Sequence, residues 1–261
     1  MAAPFTIILH SSKTMKSRDD NFDTTEPRFI HRARELNKYV CARSTDEIAS
    51  LMHVSPKLAG EVVVQAGEWP LGIPSPAIDS FIGDIYSGFR AAELSDTERA
   101  YAQKHLVILS GLYGILRPLD GIVPYRFEMG YSLPGFTAKN AATYWGDSIA
   151  AELPSEGYII NTSSAEYMKV ILPFVDAARV ITPQFLTVNK KTGEPGFTAV
   201  HSKIARGAFA RWLIQTGVQD PHDFFKFHDL GYEYDETRST LHEPVYICKD
   251  FKGIGLSVRL V

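Results

Sequence analysis

The sequence predicts a mixed α/β fold (α+β): a single domain over residues 1–261, with a central mixed sheet flanked by helices. Three observations lead there. Short, β-prone apolar runs at 5–9, 106–109 and 158–160 each stop at small polar or glycine-rich residues. Between them lie stretches with apolar residues at helical spacing, and Ser-x-x-Glu helix-start signatures recur along the chain.

Taken in order, Phe5 to Leu9 reads as a strand that ends at His10-Ser11-Ser12-Lys13-Thr14. This opening run is much shorter than a membrane span and has no basic segment ahead of it, so it predicts no signal peptide. Phe29, Ala33, Leu36 and Val40 then mark an amphipathic helix closing near Cys41, with Cys41 continuing its buried stripe. Ser44-x-x-Glu47 opens a helix through Ile48, Leu51 and Met52, broken by Val54-Ser55-Pro56 and resumed at Lys57. Ser95-x-x-Glu98 opens another through Tyr101 and Lys104, which feeds the buried strand Leu106–Leu109. Tyr158–Ile160 is a third such strand, after which Ser163-x-x-Glu166 predicts a capping box. Two stretches, 180–188 and 196–200, flank a Lys190–Gly193 turn as a hairpin. Ala205, Phe209, Leu213 and Ile214 stripe a helix, and a last hairpin joins Gly231–Tyr234 to Val245–Ile247.

Composition narrows the function classes. A formal net charge of -3 and 45% apolar residues describe an ordinary globular chain, not one that coats nucleic acid by bulk positive charge. Two isolated cysteines, Cys41 and Cys248, make neither a disulfide framework nor a cysteine-based zinc site. No segment approaches a membrane span, so the expectation is a cytoplasmic protein with no membrane partner. The eight histidines are scattered without metal-ligand spacing, so no metal site is predicted, and the cofactor question stays open.

If the three buried strands lie parallel and adjacent, their ends HSSKT, SGLYG and NTSSAEY line one crevice, the usual ligand position in open α/β sheets. Ser, Gly and Asn also end strands where no ligand binds, so the segments alone leave both readings open. The stretch Ser110–Gly130 places Arg117 before Pro118 and Arg126 after Pro124-Tyr125, two rigid guanidinium forks with Asp120 and Glu128 near in sequence. Such forks suit phosphate or carboxylate; equally, they make internal pairs that pin a loop.

SGLYGILRPLDGIVPYRFEMG resembles the signature of the YaaA family of peroxide-stress proteins almost residue for residue. Phe81-Ile-Gly-Asp-Ile-Tyr-Ser-Gly88, Tyr144-Trp145-Gly146, Asn161 to Lys169, Lys203-x-Ala205-Arg206-Gly207 with Arg211, and Gly231-Tyr232 follow in family order, covering about 5–249. The first motif departs: the family usually reads Ser-Pro-Ala-Lys-Thr where this chain has HSSKT, and Thr162 and Ser163 replace Leu and Ala. The tail from about 252 has no counterpart.

The resemblance implies survival of hydrogen peroxide through limited free iron and oxidative DNA damage, and DNA binding through a helix-hairpin-helix-like element near 47–60. Lys57 and backbone N–H groups of that turn then face a DNA phosphate; two helices with a polar turn are also ordinary packing. The first reading is a DNA-binding, peroxide-stress protein whose DNA- or anion-binding residues are Lys57, Arg117, Arg126, Lys169, Lys203 and Arg206. The second is an enzyme acting on a small anionic or nucleotide-like ligand. Its candidate catalytic residues are Lys13, Asp84, Arg117, Asp120, Arg126, Glu128 and Glu166. His10, Thr14, Tyr86, Tyr125, Asn161, Ser164 and Tyr167 complete its pocket, and the reading requires Lys13, Arg117, Arg126, Glu166 and Lys203 to converge. A structural or adaptor role is the third.

Overall fold

The computed structural model of the protein describes residues 5–16 and 23–255. β1 (Thr6–His10) is the middle of a five-stranded sheet, flanked by β5 (Leu106–Ser110) and β8 (Ile159–Asn161), both parallel to it. Being covered on both faces, these strands are runs of buried apolar residues without alternation. β9 (Val180–Ile181) extends the parallel set beyond β8, and β6 (Gly114–Leu116) turns back antiparallel along β5, which makes the sheet mixed.

The helices bear out the spacing argument. α1 (Ile30–Cys41) buries Ala33, Leu36 and Val40; Cys41, expected on that stripe, is exposed because it sits about 100° around the helix from Val40. α2 (Thr45–Met52) and α6 (Asp96–His105) both begin with complete capping boxes, at Ser44/Glu47 and Ser95/Glu98. Between α2 and α3 (Pro56–Glu68) lies a tight turn in which His53 is left-handed, Ser55 caps α3 and Pro56 takes its first position, where a missing N–H costs nothing.

The short elements β2 (Thr14–Met15) and β4 (Phe81–Ile82), and β3 (Ser75–Pro76) and β7 (Gly121–Ile122), form two antiparallel ribbons. Around them lie α4 (Ala77–Ser80), α5 (Asp84–Phe89), α7 (Ala141–Trp145) and α8 (Ser148–Ala151). α9 (Ala165–Met168) follows β8, but its expected capping box is absent. Ser163 Oγ instead donates to Asn161 Oδ1, and the Glu166 carboxylate accepts the distant Gly130 N–H at 2.9 Å.

The two expected hairpins share a second, four-stranded sheet, β11-β10-β13-β12, made of β10 (Gln184–Val188), β11 (Pro195–Phe197), β12 (Tyr232–Tyr234) and β13 (Val245–Cys248). The parallel β10–β13 pairing that joins them brings together residues about 60 apart in sequence and had no local signal. α10 (Ala199–Thr216) lies against α5, β10 and β1, so one helix serves both sheets. At its crossing with α5 the backbones nearly touch: a Cβ on Gly207 would lie 1.8 Å from the Ile85 carbonyl oxygen. The stretch left unassigned from about 252 falls partly outside the described residues; just before it, Phe251 stacks on His201 of α10 at 3.9 Å between ring centroids.

Candidate functional site

The parallel register of β5, β1 and β8 carries HSSKT, SGLYG and NTSSAEY to one edge of the sheet. Hydroxyls stitch the three ends together. Tyr86 O–H donates to the His10 carbonyl at 2.8 Å, Ser11 and Tyr167 hydroxyls pair at 3.0 Å, and Ser110 and Tyr125 hydroxyls pair at 2.6 Å. Thr162 O–H donates back to the Ile8 carbonyl, Ser164 N–H donates to His10 Nδ1, and an Arg206 Nη1–H donates to the Ser163 carbonyl. Tyr86, Tyr125 and Tyr167 are almost wholly buried, and burial pushes all three phenols above their ordinary range, so they remain donors at any physiological pH.

Charge lies over this floor. Lys13 Nζ stands 4.0 Å from Glu128, whose side chain is only 15% exposed. Burial pushes the Glu128 carboxyl up, opposed by Lys13, supported by Glu166, and opposed again by Arg126 and Lys203. Lys13, Glu166, Arg126 and Lys203 therefore all act on the one Glu128 carboxyl. Arg126 keeps a buried Nε–H without a partner among the described residues. Glycine makes the assembly possible: a Cβ on Gly111 would lie 2.4 Å from the Phe127 carbonyl oxygen, so only glycine lets the end of β5 meet the 127–129 segment that carries Glu128.

Arg117 and Asp120 are not brought here. β6 runs back along β5, so Arg117 emerges at the other edge, in a recess shared with Thr6 and Leu106, the first residues of β1 and β5. There Asp120, fully buried, accepts from the Arg117 N–H at 2.8 Å, Nη2 at 2.8 Å and Nε at 3.1 Å, and from Thr25 O–H at 2.7 Å. This is the loop-pinning pair that the sequence left as one alternative. Of the five residues that the enzyme reading required together, Lys13, Arg126, Glu166 and Lys203 act on Glu128, and Arg117 lies at the other edge.

The other candidates divide by position. Asp84 heads α5 beside Gly255, while Thr14 is exposed in β2. Asn161 holds Ser163 and Thr182 in place, a structural task. Arg206 is turned inward, with Ser202 as its second partner. Lys169 is exposed just past α9, and Lys57 is exposed in the first turn of α3, on the separate helix pair. Sequence reading missed Ser11, Ser110 and Tyr131. The serines had only their place at strand ends as a signal; Tyr131 had none, and its phenol is raised by burial and then by Glu128. Broader hollows, one of about 720 Å3 lined by Phe225 and Tyr234 and one of about 440 Å3 lined by Trp69 and Cys41, lie elsewhere and hold none of the predicted residues. Cys248 is buried, which raises its thiol to about 11, away from the thiolate that peroxide chemistry needs. Among the described residues no group of three or more His, Cys, Asp or Glu side chains is placed to hold a metal, and no helix is long and apolar enough to cross a membrane.

Fold and site define a mixed α/β protein with a mixed-charge cluster of side chains at the carboxyl edge of parallel strands, where open α/β sheets place ligands. A family profile described as "Peroxide stress protein YaaA" matches residues 5–238, and the chain belongs to that family. A "UPF0246 protein" of Salinispora tropica is 47% identical over 256 residues, covering 97% of each chain. Similar proteins of the same description occur in Cupriavidus metallidurans, 40% identical over 82% of this chain and 87% of that one, and in Tolumonas auensis, 37% identical over 85% and 88%.

Proposed function

We propose that this member of the peroxide-stress family is a cytoplasmic enzyme that binds a small anionic molecule at the carboxyl edge of the five-stranded sheet and moves a proton on it. The observation that carries this is the Glu128 carboxyl: nearly enclosed, raised by burial, and 4.0 Å from the Lys13 ammonium, with Arg126 and Lys203 close enough to act on it. Burial that raises a carboxyl makes its protonated form easier to reach, which suits it to carry a proton. Lys203 and Arg126 attract the anion, and Lys13 stands where it can polarise the group that Glu128 protonates. Glu166, anchored on the Gly130 N–H, keeps the acidic side of the crevice in place. Two carboxylates among three cations suit a compact ligand better than a polyanion, whose phosphates they would repel.

The test is titration calorimetry with inorganic phosphate and pyrophosphate on the intact protein and on Lys203→Ala, Arg126→Ala and Glu128→Gln. Binding weakened by about tenfold in the two cation variants is expected. Absent binding, or binding indifferent to all three changes, overturns the reading.

A DNA contact is the second reading, favoured by one separate observation: Lys57 is exposed on the first turn of α3, behind a tight inter-helix turn. It expects a labelled duplex to bind in a salt-sensitive way and Lys57→Ala to weaken it. Arg117, bound to Asp120, and Arg206, bound to Ser163 and Ser202, are spent within the protein and add little to either surface.

A further inference from the structure

His10 is the last residue of the central strand β1, and its surroundings fix what it can do. Its carbonyl is taken by Tyr86 O–H at 2.8 Å. Its ring leans on Tyr167, with centroids 4.9 Å apart and planes 32° from parallel, so the imidazole has little freedom to turn. Nδ1 accepts the Ser164 N–H at 3.2 Å. A nitrogen that accepts carries no proton, so the neutral ring bears its hydrogen on Nε2. Burial, reinforced by Arg206 and Lys203, lowers the imidazole to about 3, and the ring stays neutral throughout the physiological range.

Nε2–H is the group left over. No described residue accepts from it. His10 is half-buried, and its Nε2 is not among the wholly buried side-chain atoms that lack a partner. An oriented donor with no acceptor among the described residues, in the field of Lys203 and Arg206 at the end of the central strand, is suited to an acceptor brought in from outside.

We propose that His10 is a specificity residue of the crevice, giving its Nε2–H as an uncharged hydrogen bond to an oxygen of the phosphate or carboxylate that Lys203 attracts. This rests on the anion-binding reading of the crevice and extends it. A cation binds any anion in reach, whereas a single oriented N–H selects one whose oxygen lies on its axis. The adjacent Ser11 does not compete for the ligand, because its hydroxyl is paired with Tyr167.

Two substitutions separate the ring's two nitrogens. His10→Asn can keep an acceptor for the Ser164 N–H but has nothing at the Nε2 position; His10→Gln can place an amide N–H there. Inorganic phosphate is the probe, followed by long-range proton–nitrogen NMR of labelled protein and by calorimetry, with thermal unfolding as a check on folding. The expectation is an Nε2–H ring without phosphate, an Nε2 resonance that moves together with the Lys203 signals as phosphate is added, about tenfold weaker binding in His10→Asn, and most affinity retained in His10→Gln. A ring protonated on Nδ1, or a folded His10→Asn that binds phosphate as tightly as the parent while Lys203 still responds, overturns the role of His10 and leaves the crevice reading standing. Phosphate that moves neither His10 nor Lys203 defeats the crevice reading itself, and this assignment with it.

Discussion

Two helical glycines predict opposite outcomes for the same substitution. Gly207 lies where α10 crosses α5, and an added Cβ would stand 1.8 Å from the Ile85 carbonyl oxygen and 2.7 Å from the Phe89 nitrogen. The first distance is about 1.7 Å short of the ~3.5 Å at which such contacts become favourable. Both neighbours are backbone, so nothing can rotate aside, and the helices must move apart. Overpacking of that kind costs about 3 kcal/mol, offset by about 1 kcal/mol from alanine's better helix propensity. Gly207→Ala should therefore lose roughly 2 kcal/mol and melt roughly 5 °C lower. In contrast, Gly60 lies inside α3 with nothing within 4 Å of an added Cβ. Gly60→Ala should gain up to about 1 kcal/mol and melt about 2–3 °C higher. The crossing also sets the site, since α5 carries Tyr86, which holds His10, and α10 carries Lys203 and Arg206. Thermal unfolding followed by circular dichroism reads both variants against the parent. A Gly207→Ala protein that melts at or above the parent refutes the close crossing and the placement of α10 built on it.

Two further outcomes follow from the charged groups. The Glu128 carboxyl is raised in the folded state, so below its ordinary range it is protonated both folded and unfolded, and as pH rises through the window up to its raised value only the unfolded chain ionises freely. The parent thus loses stability across that window while Glu128→Gln does not, and urea titrations at pH 4 and pH 8 should show the variant gaining on the parent; a pH-independent difference contradicts the burial argument. Asp120→Asn, which leaves the Arg117 donors partly unmet, should cost about 3 kcal/mol in the same assay yet leave phosphate affinity unchanged, and weakened phosphate binding by a well-folded variant would return Arg117 and Asp120 to the site.

The sequence by itself determined the elements whose cause is local. Ser44/Glu47 and Ser95/Glu98 cap their helices as written, because a capping box closes within four residues. Leu106–Ser110 is a strand fed by the preceding helix, and the family signature was legible because its residues are contiguous. Where a local pattern failed, a distant partner had outcompeted it: Glu166 left its own helix end for the Gly130 N–H. The tertiary structure alone decided which charges meet. Arg117 and Arg126 lie nine positions apart on one loop and are alike to a reader of spacing. The turn back along β5 sends Arg117 to the far edge, where Asp120 holds it, while Arg126 stays near Glu128. Electrostatic partnership depends on distance through space, and a chain that reverses direction between two residues breaks the link between that distance and sequence separation.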